Sequence, residues 1–248
     1  AALVAAILIQ IGTNLYNDAS DFERGADTPE RLGPERATAQ GWFTSAEVKR
    51  AAIACFGLAF LIGIYLASVG GIPIVVIGLL SIAAGYAYTG GPRPIAYSSS
   101  GELFVFLFFG LIAVMGSYYL QTAHLSLNAL YCALALGLLA AAVLLVNNYR
   151  DLDTDRKANK LTLTHYLGTR NSHIAYGLLL LLPFLLPLLL NGFGAGVWLV
   201  LVLLPIALLL VRNFIREQPG PIFNRYLAQT ARLQLIFSLL LSIGFHLT

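Results

Sequence analysis

The chain has 248 residues, 58% hydrophobic and 11% charged, with 15 Lys/Arg against 12 Asp/Glu and a formal net charge of +3. Soluble domains carry about 25% charged residues. This composition, with a mean hydropathy of +0.77, excludes an ordinary soluble domain and points to an integral membrane protein. The small net charge gives no ground for a nucleic-acid partner.

Residues 51–92, 103–149, 171–211 and 233–248 contain no Asp, Glu, Lys or Arg. Such runs are too long for barrel strands and lack their alternation. The expected fold class is therefore all-α, a multi-span transmembrane helical bundle. In chain order, residues 1–16 come first, without Met, basic flank or cleavage signature. They read as a span, not a signal peptide, with a further helix expected before residue 1. The segments 48–69, 72–90, 102–121, 126–147, 171–190, 193–213 and 228–247 follow, each near the roughly 20 residues a helix needs to cross the hydrocarbon. That makes eight spans in a lipid bilayer and a single domain, 1–248. Alternation places loops 17–47, 91–101, 148–170 and 214–227 on one side, with every Lys and Arg in them or adjoining them. By the positive-inside rule that side is the cytoplasm. Cys55 and Cys132 fall inside spans and read as small packing residues.

Charge for topology does not explain the acids, which contribute little to orientation yet all lie on the same side. Two clusters share a design. Asn14, Asp18 and Asp21, with Asn17, are spaced i, i+4 and i+7, one stripe of a helix. Asn147, Asp151 and Asp155 are spaced i, i+4 and i+8, also expected as one stripe. Four spans separate the clusters, so both helices run the same way and the clusters can face each other at one membrane depth. Neighbouring carboxylates repel unless a cation neutralises them, and oxygen-only ligands select hard ions such as Mg²⁺. Arg24, Arg31 and Arg36 accompany the first cluster. Arg150, Arg156, Lys157 and Lys160 accompany the second. Carboxylates for Mg²⁺ beside guanidinium and ammonium groups for phosphate oxygens describe a diphosphate site. The alternative, acids that cap helix ends and pair with nearby Arg, suits one cluster better than two of matched spacing. Asp153 lies off the stripe and is expected in solvent.

A Mg-diphosphate at a membrane face with an apolar interior behind it suits a polyprenyl diphosphate. Loss of diphosphate leaves an allylic cation, which aromatic faces can stabilise. Tyr86, Tyr88, Tyr97 and Tyr149 are the candidates, with interfacial anchoring as their alternative role.

The stretches Asn14–Asp27 with Arg31–Arg36, Tyr86–Tyr97 with Gly101-Glu102, and Asn147–Arg156 with Asn159–Thr162 and Leu167-Gly168 resemble the UbiA superfamily of intramembrane aromatic prenyltransferases. The likeness is greatest to its bacterial 1,4-dihydroxy-2-naphthoate branch and covers essentially the whole chain. It implies nine spans, hence the helix before residue 1, in a bacterial inner (plasma) membrane. It implies Mg²⁺ and diphosphate at both acidic motifs, with Asn14, Asp18, Asp21, Asp151 and Asp155 as the metal–diphosphate set. Arg24, Arg150 and Lys160 follow as phosphate contacts. The implied reaction joins a polyprenyl diphosphate to 1,4-dihydroxy-2-naphthoate with loss of its carboxylate. One departure is that Gly25 stands where the wider superfamily often has a further Asp, and the next acid is Asp27.

Other acceptors within the superfamily, such as 4-hydroxybenzoate or homogentisate, are disfavoured by the Thr89-Gly-Gly-Pro92 and Arg31-Leu-Gly-Pro34 loops. A transporter predicts ionisable residues near the bilayer midplane, where no Asp, Glu, Lys or Arg is expected. An alcohol-phosphatidyl transferase predicts an Asp-xx-Asp-Gly-xx-Ala-Arg signature, absent from the sequence. Prenyl chain length and oligomeric state are left open.

Overall fold

The computed structural model describes residues 1–27, 31–190 and 194–247. Among them there is no strand, as expected where hydrocarbon forces each segment to satisfy its own backbone polar groups. The long helices are α1 (Ala2–Glu23) and α2 (Ser45–Ala87), α3 (Gly101–Thr122) and α4 (Leu127–Arg150). A short α5 (Leu152–Lys157) follows, then α6 (Leu163–Leu189), α7 (Ala195–Arg216) and α8 (Phe223–His246). Six of these, α2, α3, α4, α6, α7 and α8, are long and apolar enough to cross a membrane.

Two features bear on the pattern of apolar runs. α1 continues past the predicted end at residue 16 to Glu23, so the first acidic cluster rides on a continuous helix. The predicted pair 48–69 and 72–90 is present as the two helical halves of α2, separated at Gly71, where φ is 66° and ψ −157°. At 1.5 Å per residue an unbroken helix of all 43 residues would be about 64 Å, twice the hydrocarbon thickness. Gly supplies the positive φ that a side chain resists, and Pro73 restarts the helix.

The chain divides into two compact units. The first comprises residues 1–101, 116–124 and 154–162, the second 102–115, 125–153 and 163–248. In the first, α1 packs along α2 around Ala19, Ala52, Phe56 and Ala59, all buried. α2 starts with a capping box, in which Thr44 Oγ1 accepts from Glu47 N and Glu47 Oε2 accepts from Thr44 N. Its outer surface is apolar and exposed, with Leu61, Ile64, Tyr65 and Ile72 uncovered, the surface expected of a helix bathed by lipid.

In the second unit α4 is the central element. Leu139, Leu145, Val146 and Tyr149 are fully buried, as are Tyr176, Leu180, Phe214, Phe223 and Phe237 around them. α4 meets the π-helical turn Phe106–Ile112 of α3 through Gly110 and Gly137. A Cβ on Gly137 would lie 2.7 Å from the Phe106 carbonyl oxygen and 2.9 Å from its ring. The helix that ends in Asn147 and Arg150 is thereby held at close range.

Candidate diphosphate-binding site

In the first unit the polar end of α1 gathers a dense set of groups. Asp18 and Asp21 are buried. Asp18 holds down the loop that follows. Its Oδ2 accepts from Ala37 N at 2.9 Å, and its Oδ1 accepts from Thr38 N at 3.3 Å and from the Thr38 hydroxyl. Asp21 Oδ1 accepts from the Tyr97 hydroxyl at 2.9 Å, and its Oδ2 lies 3.6 Å from Arg36 Nη2. Arg36 also donates to Asn17 Oδ1 and stands 3.9 Å from Asp27 Oδ2. Arg31 pairs with the other oxygen of Asp27. Burial pushes the Asp27 carboxyl above the usual aspartate range, against the opposing pull of Arg31 and Arg36. Asp27 thus organises the two arginines of the loop, a role its spacing alone did not disclose.

Tyr97 is the centre of this set. It ends a short 3₁₀ turn, Ile95–Tyr97, so its ring is placed by a rigid corner. Arg24 lies 5.4 Å from the ring centroid and Lys160 Nζ 5.9 Å, both within cation–π range. Arg24 also donates to the Gly91 carbonyl at 2.7 Å, tying α1 to the Thr89–Pro92 turn. Lys160 Nζ is 3.4 Å from Asp155 Oδ1. Burial, and then the Asp21 charge, push the Tyr97 phenol far above its ordinary value, so its hydroxyl remains a donor. Within one unit, therefore, Asp21 from the first motif and Asp155 and Lys160 from the second lie around one tyrosine. Asn14, by contrast, is exposed and in contact with Gln10. Tyr86 is half exposed and packs on Tyr16, ring centroids 5.0 Å apart.

In the second unit Arg150, 2% exposed, organises the end of α4. Its Nε and Nη2 donate to both oxygens of Asp151 at 2.7 and 2.6 Å. Nη2 reaches Asn147 Oδ1 at 2.9 Å and Nη1 reaches Asn224 Oδ1 at 2.7 Å. This planar fork fixes the carboxylate and the amide together. Arg150 is thus a holder of Asn147 and Asp151 as well as a candidate phosphate contact. Behind it, Tyr149 hydrogen-bonds His173 at 3.0 Å and packs against Phe214 and Phe223.

The expectation of a single stripe through Asn147, Asp151 and Asp155 does not hold. α4 ends at Arg150. The Asp151 amide still donates to the Asn147 carbonyl at 3.2 Å, but Asp151 leaves helical geometry at φ −92°, ψ 12°, and α5 begins with Leu152. Asp155 belongs with the first unit. Asp153 is exposed, as expected. Thr38, Glu102 and Asn224 were not anticipated as site groups, because no periodicity or charge pattern marks them.

The donors suit Mg²⁺ in kind, since carboxylate and amide oxygens are hard ligands. Among the described residues no three Asp, Glu, His or Cys side chains gather into a ready-made cage.

The sequence profile of the UbiA prenyltransferase family matches residues 1–236. The chain is 38% identical to the 1,4-dihydroxy-2-naphthoate octaprenyltransferase of Escherichia coli, over all of this chain and 83% of that protein. It is 32% identical to the protein of the same name from Bacillus subtilis, over 98% and 79% of the two chains. Against the human UbiA prenyltransferase domain-containing protein 1 the identity is 29%, over 97% and 70%. Apolar helices of membrane-crossing length, a buried acidic and basic cluster built from both motifs, and this match across nearly all of the sequence agree: the chain is a multi-pass membrane protein of the UbiA prenyltransferase family.

Proposed function

We propose that this chain is a Mg²⁺-dependent prenyltransferase that transfers a polyprenyl group from a polyprenyl diphosphate to 1,4-dihydroxy-2-naphthoate, with loss of the carboxylate as CO₂, giving the quinol form of a demethylmenaquinone. The observation that carries the reading is the cluster around Tyr97, where Asp21, Asp155, Arg24 and Lys160 combine carboxylates with cations. The names borne by the relatives at 38% and 32% identity supply the acceptor and donor.

Asp18, Asp21 and Asp155 with Asn14 and Asn17, and in the second unit Asp151 with Asn147, are the residues that would hold the metal and diphosphate. Mg²⁺, when bound, neutralises charge on the departing diphosphate. Arg24 and Lys160 add fixed positive charge where phosphate oxygens gather negative charge. Tyr97 fixes Asp21 through its hydroxyl, and its ring holds the two cations. The C–O bond of the donor breaks with its electron pair leaving on diphosphate. The electron-rich naphthalene ring then attacks the allylic carbon, and the carboxylate departs as CO₂. No nucleophilic side chain is required. The protein contributes positioning, charge stabilisation and exclusion of water.

The same reading gives eight crossings for this chain, two of them from α2 on either side of Gly71, in a single domain. It places the acidic loops on the cytoplasmic face of a bacterial plasma membrane. The test is incubation of purified protein with the naphthoate, Mg²⁺ and prenyl diphosphates of several lengths, with products identified by mass. Formation of a decarboxylated prenyl-naphthoquinol that stops on removal of Mg²⁺ is expected. Prenylation of 4-hydroxybenzoate or homogentisate in its place would overturn the acceptor assignment.

A further inference from the structure

Glu102 is the only charged residue of α3, and it is 4% exposed. Its Oε1 accepts a 2.9 Å hydrogen bond from Asn148 Nδ2. Its Oε2 has no hydrogen-bond partner among the described residues. A buried carboxylate held by one bond is costly compared with an apolar side chain of the same volume. The first turn of a helix, with its free N–H groups and positive dipole end, makes an acid tolerable there. Tolerance does not explain why an acid is present.

The partner supplies the reason. Asn148 lies in the last turn of α4, between Asn147 and the Arg150–Asp151 pair, and its carbonyl accepts from the Thr164 hydroxyl at 3.3 Å. Arg150 binds Asn147 and Asp151 from within the same turn, so those bonds move with the turn if it rotates. Side-chain hydrogen bonds tie the turn to three other helices: Arg150 to Asn224 at the start of α8, Tyr149 to His173 of α6, and Asn148 to Glu102 at the start of α3. Residues are 100° apart around a helix, so fixing Asn148 also fixes the directions of Asn147 and Arg150, and Arg150 holds the Asp151 carboxylate beyond the helix end.

We propose that Glu102 is a positioning residue for diphosphate binding. Through Asn148 it sets the rotation of the last turn of α4, and hence where Asn147 and Asp151 present their oxygens. The inference rests on the diphosphate reading of those two residues. Only Oε1 is used, so Glu102→Gln keeps the needed carbonyl oxygen and Glu102→Leu removes it.

The experiment compares wild type, Glu102→Gln, Glu102→Leu, Asn148→Leu and the double leucine variant, each checked for folding by thermal unfolding in detergent. Two readouts are taken: KM for the prenyl diphosphate and for the naphthoate, and direct binding of inorganic diphosphate with Mg²⁺. Glu102→Leu is expected to weaken both diphosphate measures by about tenfold or more, the scale of lost outer supports of a metal site, leaving the KM for naphthoate unchanged. Glu102→Gln should stay within about twofold to threefold of wild type, and the double variant should be no worse than either single one. If Glu102→Leu does not fold, Asn148→Leu tests the same bond from the other side. Equal changes in both KM values, unchanged diphosphate binding, or additive single effects would overturn the proposal. If wild type binds Mg-diphosphate but forms no prenyl-naphthoquinol, the acceptor reading fails, and the binding comparison still decides the role of Glu102.

Discussion

Tyr97 shows how a single side chain joins the two acidic motifs. Its hydroxyl holds Asp21 and its face carries Arg24 and Lys160, so Tyr97→Phe removes one bond and leaves the cation–π contacts. A hydrogen bond to a charged group is worth about 1.5–3 kcal/mol, and we expect kcat/KM for the prenyl diphosphate to fall by at least about tenfold. The pH profile supplies a second check. A phenol whose pKa is raised in the folded state is fully protonated below its ordinary value and still protonated somewhat above it, so its donor role is lost only at more alkaline pH. The alkaline limb of the rate profile should therefore be the same in wild type and Tyr97→Phe up to about pH 10. An alkaline loss that disappears in the variant would show the phenol ionising in the working range. Asp18, Asp21 and Asp155 stand out in the sequence as clustered acids of an apolar chain, and each of them is buried. The hub role of Tyr97 was not legible, since it depends on a contact across 76 positions of sequence.

Hydrophobic runs disclosed the helices but not their breaks or their grip on one another. A run of apolar residues cannot show that α1 continues as helix to Glu23, because polar and apolar residues share one backbone geometry. Nor can it show that Asp151 leaves the helix. Close approach of two helices is likewise invisible in hydropathy. Gly137→Ala places a methyl 2.7 Å from the Phe106 carbonyl, and the backbone must move to admit it. Overpacking of this kind costs about 1–3 kcal/mol. By contrast, a Cβ at Gly57 within α2 meets nothing within 4 Å, and Gly57→Ala should be neutral or stabilising by up to about 1 kcal/mol. Thermal unfolding of the two variants in the same detergent compares them directly. Equal melting temperatures would mean that α3 and α4 separate easily, and that the end of α4 is not rigidly held.

At the scale of the molecule, the placement of charge makes the strongest claim. All 12 acids and all 15 Lys/Arg lie outside four long uncharged stretches, and the acids have no topological reason to share a side with the bases. On the proposed reading the acids do share that side, and substrate chemistry gives the reason, since an anionic diphosphate and its ion would arrive from water on one face. Sidedness can be measured by single-cysteine labelling with a membrane-impermeant maleimide on intact cells, after Cys55 and Cys132 are replaced by Ala. Cysteines at Ala39, which is exposed, and Ala158, which is half-buried, should be protected until the membrane is opened. A cysteine at Leu125, 66% exposed in the short connection between α3 and α4, should label from outside. The three sites test the odd number of crossings between the acidic loops and that connection, independently of any enzyme assay. Labelling of Ala39 and Leu125 from the same side would require a different number of crossings between them, and α2 would then be the element to re-examine. Its halves flank the break at Gly71, and only two crossings there, with one in α3, bring residue 125 to the far face.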